Sequence, residues 1–309
     1  MRVLVTGGSG RLGRTVVAEL AGRDHEVISV DRSPPDPGPG PGAAQPGVAA
    51  ETVATDLLDE GAIPTLLERV KPDAVIHLAA IPVPFVRPDL ETYRVNTSLA
   101  FGVCDAAVAA GVGSVVLASS PTVMGYGEPG WAPRYLPLDE AHPVRPAHAY
   151  ALSKVATEQI AELFARQGGG TRFAAFRPCY VIAPEEWHGA PTQAGHTVRQ
   201  RLDDPALGAV SLFNYCDARD VAGFLHRLIT VFDGDRPTDG TETADGRTFF
   251  VGAADALARE PLAELLPRHH PTTEPHAAAL TGTTPAFSIE LARRLLDWTP
   301  SRSWRTELT

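Results

Sequence analysis

The sequence predicts an α/β fold, a doubly wound parallel sheet with helices on both faces, joined to a smaller C-terminal α/β part. Three observations predict it. Short apolar runs alternate with helical stretches from the first residues to about 176. Several runs, such as Asp73-Ala-Val-Ile-His77 and Ser114-Val-Val-Leu-Ala118, are apolar almost throughout, which suits strands covered on both faces. A glycine-rich turn, Thr6-Gly-Gly-Ser-Gly-Arg-Leu-Gly13, follows the first run and opens a helical stretch.

Taken in order, residues 2–6 read as a buried strand, followed by the turn and a helix to about Leu20. A second strand covers 26–30. Residues 34–47 are rich in Pro and Gly and read as an exposed loop. Strands at about 51–55, 73–78, 114–118 and 172–176 then alternate with helices at about 59–69, 89–110 and 149–167. After residue 178 the rhythm weakens. Asp220 is expected to cap a helix running to about Phe232, residues 233–247 form a surface loop, Phe249-Phe-Val251 is a short strand, and Ser288 caps a last helix ending near Asp297.

Composition narrows the function. A formal net charge of -10 argues against nucleic acid and anionic membrane as partners, since both are polyanions. Cys104, Cys179 and Cys216 show no CxxC spacing and read as buried small apolar residues, which fits a reducing cytosol. With no signal-peptide core at the N-terminus and no apolar run of roughly 20 residues, a cytoplasmic location is expected. The neighbouring His269, His270 and His276 lack zinc-site spacing, so no metal is expected.

The glycine turn carries the first chemical signal. Without side chains, Gly7, Gly10 and Gly13 let the backbone turn sharply and approach a pyrophosphate, whose charge meets the helix N-terminus at Arg11 and Leu12. This is the dinucleotide-binding turn of a Rossmann sheet. Asp31 ends the second strand about 20 residues on, where a carboxylate accepts bonds from ribose hydroxyls and repels a 2′-phosphate. NAD is therefore favoured. Arg32 and Arg11, either of which would attract that phosphate, leave NADP open. Asp56 and Leu57, after the third strand, either flank the adenine or form a plain turn. Residues 1–178 are expected to form the dinucleotide-binding domain and 179–309 mainly the substrate-binding part, with about 210–232 returning to the first.

Tyr150-Ala-Leu-Ser-Lys154 carries the second signal. A spacing of four puts both side chains on one helix face, one turn apart. A lysine ammonium beside a phenol favours the phenolate and lowers its pKa from about 10, giving a usable acid/base group.

At this point the sequence resembles the extended short-chain dehydrogenase/reductase family over nearly its whole length. The marks are Thr6–Gly13, Asp56-Leu57, His77-Leu-Ala-Ala80, Val95-Asn96, Ser119-Ser120-Pro-Thr-Val-Met-Gly125, Tyr150-x-x-x-Lys154, Phe176-Arg-Pro178, Asp217-Ala-Arg-Asp-Val-Ala222 and Trp298-Thr-Pro300. The resemblance implies that Ser120 bonds the reacting oxygen with help from Thr122. It implies that Tyr150 passes the proton and that Lys154 also binds the nicotinamide ribose. Leu78, Ala79, Ala80, Asn96 and Pro178 join the cofactor set. His77 reads as a strand-end histidine satisfied by backbone.

The family holds epimerases, dehydratases and dehydrogenases, so departures must choose among them. Dehydratases resemble one another in an Asp-Glu after the catalytic Ser/Thr, and here Pro121-Thr122 follows Ser120. Nucleotide-sugar epimerases typically carry an asparagine three places after the sixth-strand arginine. Here Arg177 is followed at that place by Tyr180, and Phe213 stands where their diphosphate-binding arginine is expected, with Arg219 close by. The leading expectation is therefore an NAD(P)-dependent oxidoreductase acting on an alcohol or ketone of a small, sugar-like or secondary-metabolite substrate. A nucleotide-sugar epimerase with the same Ser/Tyr/Lys centre is the alternative, and a non-enzymatic NAD(P)-sensing regulator the second. Residues 124–148, with Met124, Tyr126, Trp131 and Tyr135, are expected to wall or lid the substrate pocket; Tyr180, Trp187, His188 and His196 are further candidates. The resemblance also implies a homodimer through helices 89–110 and 149–167.

Overall fold

The computed structural model describes residues 1–33, 49–234 and 242–308. The strands are β1 (Arg2–Thr6), β2 (Glu26–Asp31), β3 (Glu51–Ala54), β4 (Ala74–His77), β5 (Ser114–Ala118), β6 (Arg172–Pro178), β7 (Val181–Ile182), β8 (Cys216–Asp217) and β9 (Thr248–Val251). The longer helices are α1 (Arg11–Ala21), α2 (Ala62–Val70), α3 (Asp89–Ala110) and α4 (Ala149–Gln167). Three short ones follow, α5 (Pro184–Trp187), α6 (Val198–Asp203) and α7 (Pro205–Ala209), then α8 (Ala218–Asp233), α9 (Leu262–His269), α10 (Glu274–Ala277), α11 (Glu290–Leu296) and α12 (Trp304–Glu307).

Seven strands form one sheet in the order β3-β2-β1-β4-β5-β6-β9, every neighbouring pair parallel. β7 and β8 make a separate parallel pair. The doubly wound parallel sheet read from the sequence is the fold of this chain.

The uninterrupted apolar strands follow from the period of two. Val3, Val5, Ala74, Ile76, Val116, Ala174 and Phe176 point into one core with α1 and α8. Leu4, Val75, Val115, Leu117, Phe173 and Ala175 point into the other with α2, α3 and α4. Both faces are dry, so neither set of alternate residues can be polar. The strand order reverses between β1 and β4, which opens a crevice at their C-terminal ends where α/β sheets bind ligands.

Asp217, not Asp220, caps α8, its carboxylate accepting from Arg219 N at 2.7 Å. Asp220 sits in the first turn and instead accepts from Ser301 N, Ser301 Oγ and Arg302 N at 2.8–3.0 Å, pinning the C-terminal segment. Ser288 Oγ does accept from Glu290 N at 3.2 Å ahead of α11, but α12 follows, so α11 is not the last helix. The loop expected at 34–47 lies outside the described residues, as does the middle of the one expected at 233–247.

Candidate active site

Gly7 sits at φ 71°, and a Cβ on it would come within 2.7 Å of Ala79 N. A Cβ on Gly13 would lie 2.1 Å from the Gly7 carbonyl oxygen, a backbone clash that no rotamer relieves. The loop is thus folded tightly against the end of β4. The N-terminus of α1 has Gly10 as its cap, without a capping side chain, and no acidic residue in its first turn. Its N–H groups and positive dipole end suit an anion such as a pyrophosphate. Leu12 packs on the core behind.

Asp31 lies beside this loop, accepting from Ser9 N at 3.1 Å and Arg32 N at 2.8 Å. Arg11 is not available to a 2′-phosphate. Its Nε donates to Glu186 Oε1 at 2.6 Å, and its Nη2 donates to the second Glu186 oxygen and to Val181 O. Arg32 is exposed. The residues present fit NAD. Its kcat/KM is expected to exceed that of NADP, and Asp31→Ala to narrow the gap by roughly 10- to 100-fold, the worth of a charged hydrogen bond. A parent protein using both cofactors equally would overturn this.

Asp56 Oδ1 accepts from Leu58 N at 3.0 Å as a turn cap, and Leu57 is buried. Leu78 and Ala79 donate their N–H groups to Thr6 O and Thr6 Oγ1, which lays the segment 78–80 beside Gly7. His77 is satisfied by a side chain rather than by backbone: Thr6 Oγ1 lies 2.7 Å from its Nδ1. Asn96 is fully engaged. It brackets Ile81 through N and O at 2.8 and 3.2 Å and donates to Ser153 Oγ at 3.0 Å, so it ties the β4–α3 loop to α4.

His148 caps α4, its Nδ1 accepting from Ala151 N at 3.1 Å, and its ring stacks on Tyr150. Lys154 Nζ donates to Ala118 O at 2.7 Å and lies 5.8 Å from the Tyr150 ring centre. Ser120 follows β5 and its Oγ accepts from Thr122 N and Thr122 Oγ1 at 3.3 and 3.0 Å. It also bonds the Tyr150 side chain. Ser120, Tyr150 and Lys154 therefore meet at the C-terminal end of β5, next to the crevice.

The electrostatics differ from the sequence expectation. Burial pushes the Tyr150 phenol up to about 12, against the opposing bond from Ser120. The lysine does not outweigh desolvation. Burial brings Lys154 down to about 8, and the Glu158 carboxylate resists that fall.

Glu158 was not among the sequence candidates. It accepts from Ser119 Oγ at 2.5 Å and from Arg177 Nε and Nη2 at 2.7 and 2.8 Å, forming a buried network under Lys154. Extending the Tyr150–Lys154 spacing by one more turn would have found it.

On the substrate side, Met124 is completely buried and Trp131 nearly so, with Trp131 Nε1 donating to Met124 O at 2.9 Å. Met124 therefore packs the core and presents no surface to a substrate. The stretch 124–148 is fastened rather than lid-like: Leu138 exchanges backbone bonds with Ala286 and Ser288, and Arg145 N with Val123 O. Pro178 ends β6 opposite Val251. Tyr180 presents a buried hydroxyl with no partner among the described residues. Trp187 Nε1 donates to Asp217 Oδ2, and His188 is exposed. Phe213 is buried, and Arg219 is held by Asp217 and Glu307. The three cysteines are buried and free, and burial raises their thiols. Among the described residues no group of three or more His, Cys, Asp or Glu is placed to hold a metal, and no helix is long and apolar enough to cross a membrane.

A family model described as the NAD dependent epimerase/dehydratase family matches residues 3–239. The UDP-glucose 4-epimerase of Homo sapiens is 33% identical over 170 residues, 52% of this chain and 47% of that protein. The uronate dehydrogenase of Pseudomonas putida is 30% identical over 163 residues, 53% of this chain and 55% of that protein. The chain spans about half the length of the curated relatives it matches. Among solved structures, a short-chain dehydrogenase/reductase superfamily protein from Agrobacterium tumefaciens with bound NAD superposes with TM-score 0.70 at 24% identity, covering 100% of this chain and 95% of that one. The UDP-glucose 4-epimerase of Thermotoga maritima with UDP-glucose gives TM-score 0.69 at 20% identity, covering 100% and 96%.

Proposed function

This chain belongs to the NAD dependent epimerase/dehydratase family, and from that premise we propose that it oxidises, reversibly, a secondary hydroxyl of a small sugar-like substrate, with Tyr150 carrying the proton. The observation that supports this most is the meeting of Tyr150, Ser120 and Lys154 beside the glycine loop. NAD, when bound along that loop, supplies the hydride acceptor. Ser120 and Tyr150 hold the reacting oxygen from two directions, so charge developing there meets two hydroxyls. In the reductive direction the neutral phenol gives up its proton. In the oxidative direction it must first ionise, which the neighbouring Ser120 hydroxyl favours and burial opposes. Thr122 keeps Ser120 oriented, and Asn96 ties the β4–α3 loop to α4, where the cofactor would pass. Residues 179–309 mainly shape the substrate side.

The names of the curated relatives favour a second reading, epimerisation of a UDP-sugar with the hydride returned to the other face. The residues at 180 and 213 favour net oxidation. One assay separates them: the protein is incubated with NAD and, in turn, uronic acids, neutral aldoses and UDP-glucose. Net oxidation accumulates NADH in step with product, whereas epimerisation changes the sugar without it. If neither NADH nor an epimer forms with any substrate of the panel, the proposal fails. We also propose a homodimer, supported by the exposed Leu90, Phe101, Val108, Leu152 and Leu163 along α3 and α4.

A further inference from the structure

Among the described residues two arginines are buried, Arg177 and Arg201, and only the first is paired with a carboxylate. Arg177 forms a bidentate pair with Glu158, Arg219 is held by Asp217, and Arg11 by the buried Glu186. Arg201, on α6, is 1% exposed and has no carboxylate. Its Nη2 donates to Ser211 Oγ and lies 3.5 Å from Gly208 O, and its Nη1 lies 3.4 Å from His196 Nε2. Its Nε is buried without a partner. Its guanidinium stacks 4.0 Å above the ring of Tyr180, whose own hydroxyl is buried and unpartnered. A desolvated cation with only neutral neighbours is unfavourable unless an anion completes it.

The surroundings place this arginine on the substrate side. Asn214 Oδ1 accepts from Tyr180 N at 2.7 Å. Tyr126 lies within electrostatic reach of both Tyr150 and Arg201. A cavity of about 300 Å³ opens beside Arg201, lined by the apolar Phe213, Leu257 and Leu265 and by the charged Asp203, Arg259 and Glu260, of which Asp203 is paired with Arg259 and Glu260 with Arg268.

We infer that Arg201, backed by the Tyr180 ring, receives a single carboxylate carried by the substrate, so that the substrate is an acidic sugar derivative. This rests on the reading of Tyr150 as the proton carrier for a sugar hydroxyl. One buried guanidinium matches one negative charge. A diphosphate carries at least two; Phe213 supplies no second cation, and Arg219 and the cavity-lining Arg259 are already paired, with Asp217 and Glu307 and with Asp203.

Binding by titration calorimetry, with NADH in place of NAD so that oxidation cannot follow, tests this without turnover. The probes are D-glucuronate, D-galacturonate, D-glucose and UDP-glucose. The parent protein is expected to bind a uronate at least about tenfold more tightly than D-glucose. Arg201→Met should remove that preference, and Arg201→Lys should keep part of it, with NAD affinity unchanged in both. Equal affinity for uronate and glucose, no uronate binding, or an unaltered preference in a folded Arg201→Met protein overturns the inference. So does Arg201-dependent binding of UDP-glucose tighter than of either uronate. Uronate bound through Arg201 but never oxidised would sink the proposed reaction and leave the carboxylate site standing. Should Arg201→Met fail to fold, the uronate-to-glucose ratio of the parent and the Arg201→Lys result still decide.

Discussion

Tyr150→Phe is expected to lower kcat by roughly 10²- to 10⁴-fold, the usual worth of a positioned acid/base group, while NAD affinity stays at the parent value. The substitution removes one oxygen from a ring that is 7% exposed, so packing against His148 and the Lys154 stem survives. What is lost is the phenol beside Ser120. Lys154→Met should produce a loss of similar size, with a weaker hold on the cofactor added. The contrast between the two variants separates proton transfer from cofactor binding. A Tyr150→Phe protein with parental turnover would remove the basis of the proposed reaction.

How far the sequence could be read depended on the range of the interactions. The sheet was legible because each strand states its own burial: apolar residues on both alternations of β1, β4 and β5 leave no wet face. Gly7, Gly13, Asp31, Tyr150 and Lys154 were legible because their spacing is set within one turn or one βαβ unit. The protonation states were not. The phenol of Tyr150 is governed by desolvation, which depends on everything packed around it, and one helical turn of sequence says nothing of that. Nor did the sequence show that Arg11 is consumed by Glu186, 175 residues away, or that Met124 turns inward. Asp220 looked like a cap because it precedes an apolar run, yet Asp217 took that role and left Asp220 to hold residues 301 and 302. Arg201 had no local signal at all. Its meaning lies in the absence of a carboxylate around it, which only the assembled fold can display.

The largest expected effect on stability comes from His77, and it appears in acid. Thr6 Oγ1 accepts a hydrogen bond from Ala79 N at 3.3 Å and shares one of 2.7 Å with His77 Nδ1. Burial, reinforced by the charge of Lys154, brings His77 down to about 3 from the ordinary 6.5. Between those values the unfolded chain binds a proton that the folded one refuses, so stability falls as pH falls through this window and is untouched above it. A gap of about 3.5 units corresponds to roughly 5 kcal/mol once the window is crossed, of which about 2 to 3 kcal/mol should already be lost near pH 4.5. His25, His142, His148, His196 and His226 are lowered by burial too and add to the slope. Glu140 and Asp220, raised by burial, oppose it. The difference between proteins therefore isolates the effect: urea denaturation near pH 7.5 and near pH 4.5 should show His77→Asn losing about 2 to 3 kcal/mol less than the parent over that interval. Parallel losses would mean that the imidazole takes up its proton without breaking the bond to Thr6. The neutral ring would then not be what fastens the glycine loop to the end of β4.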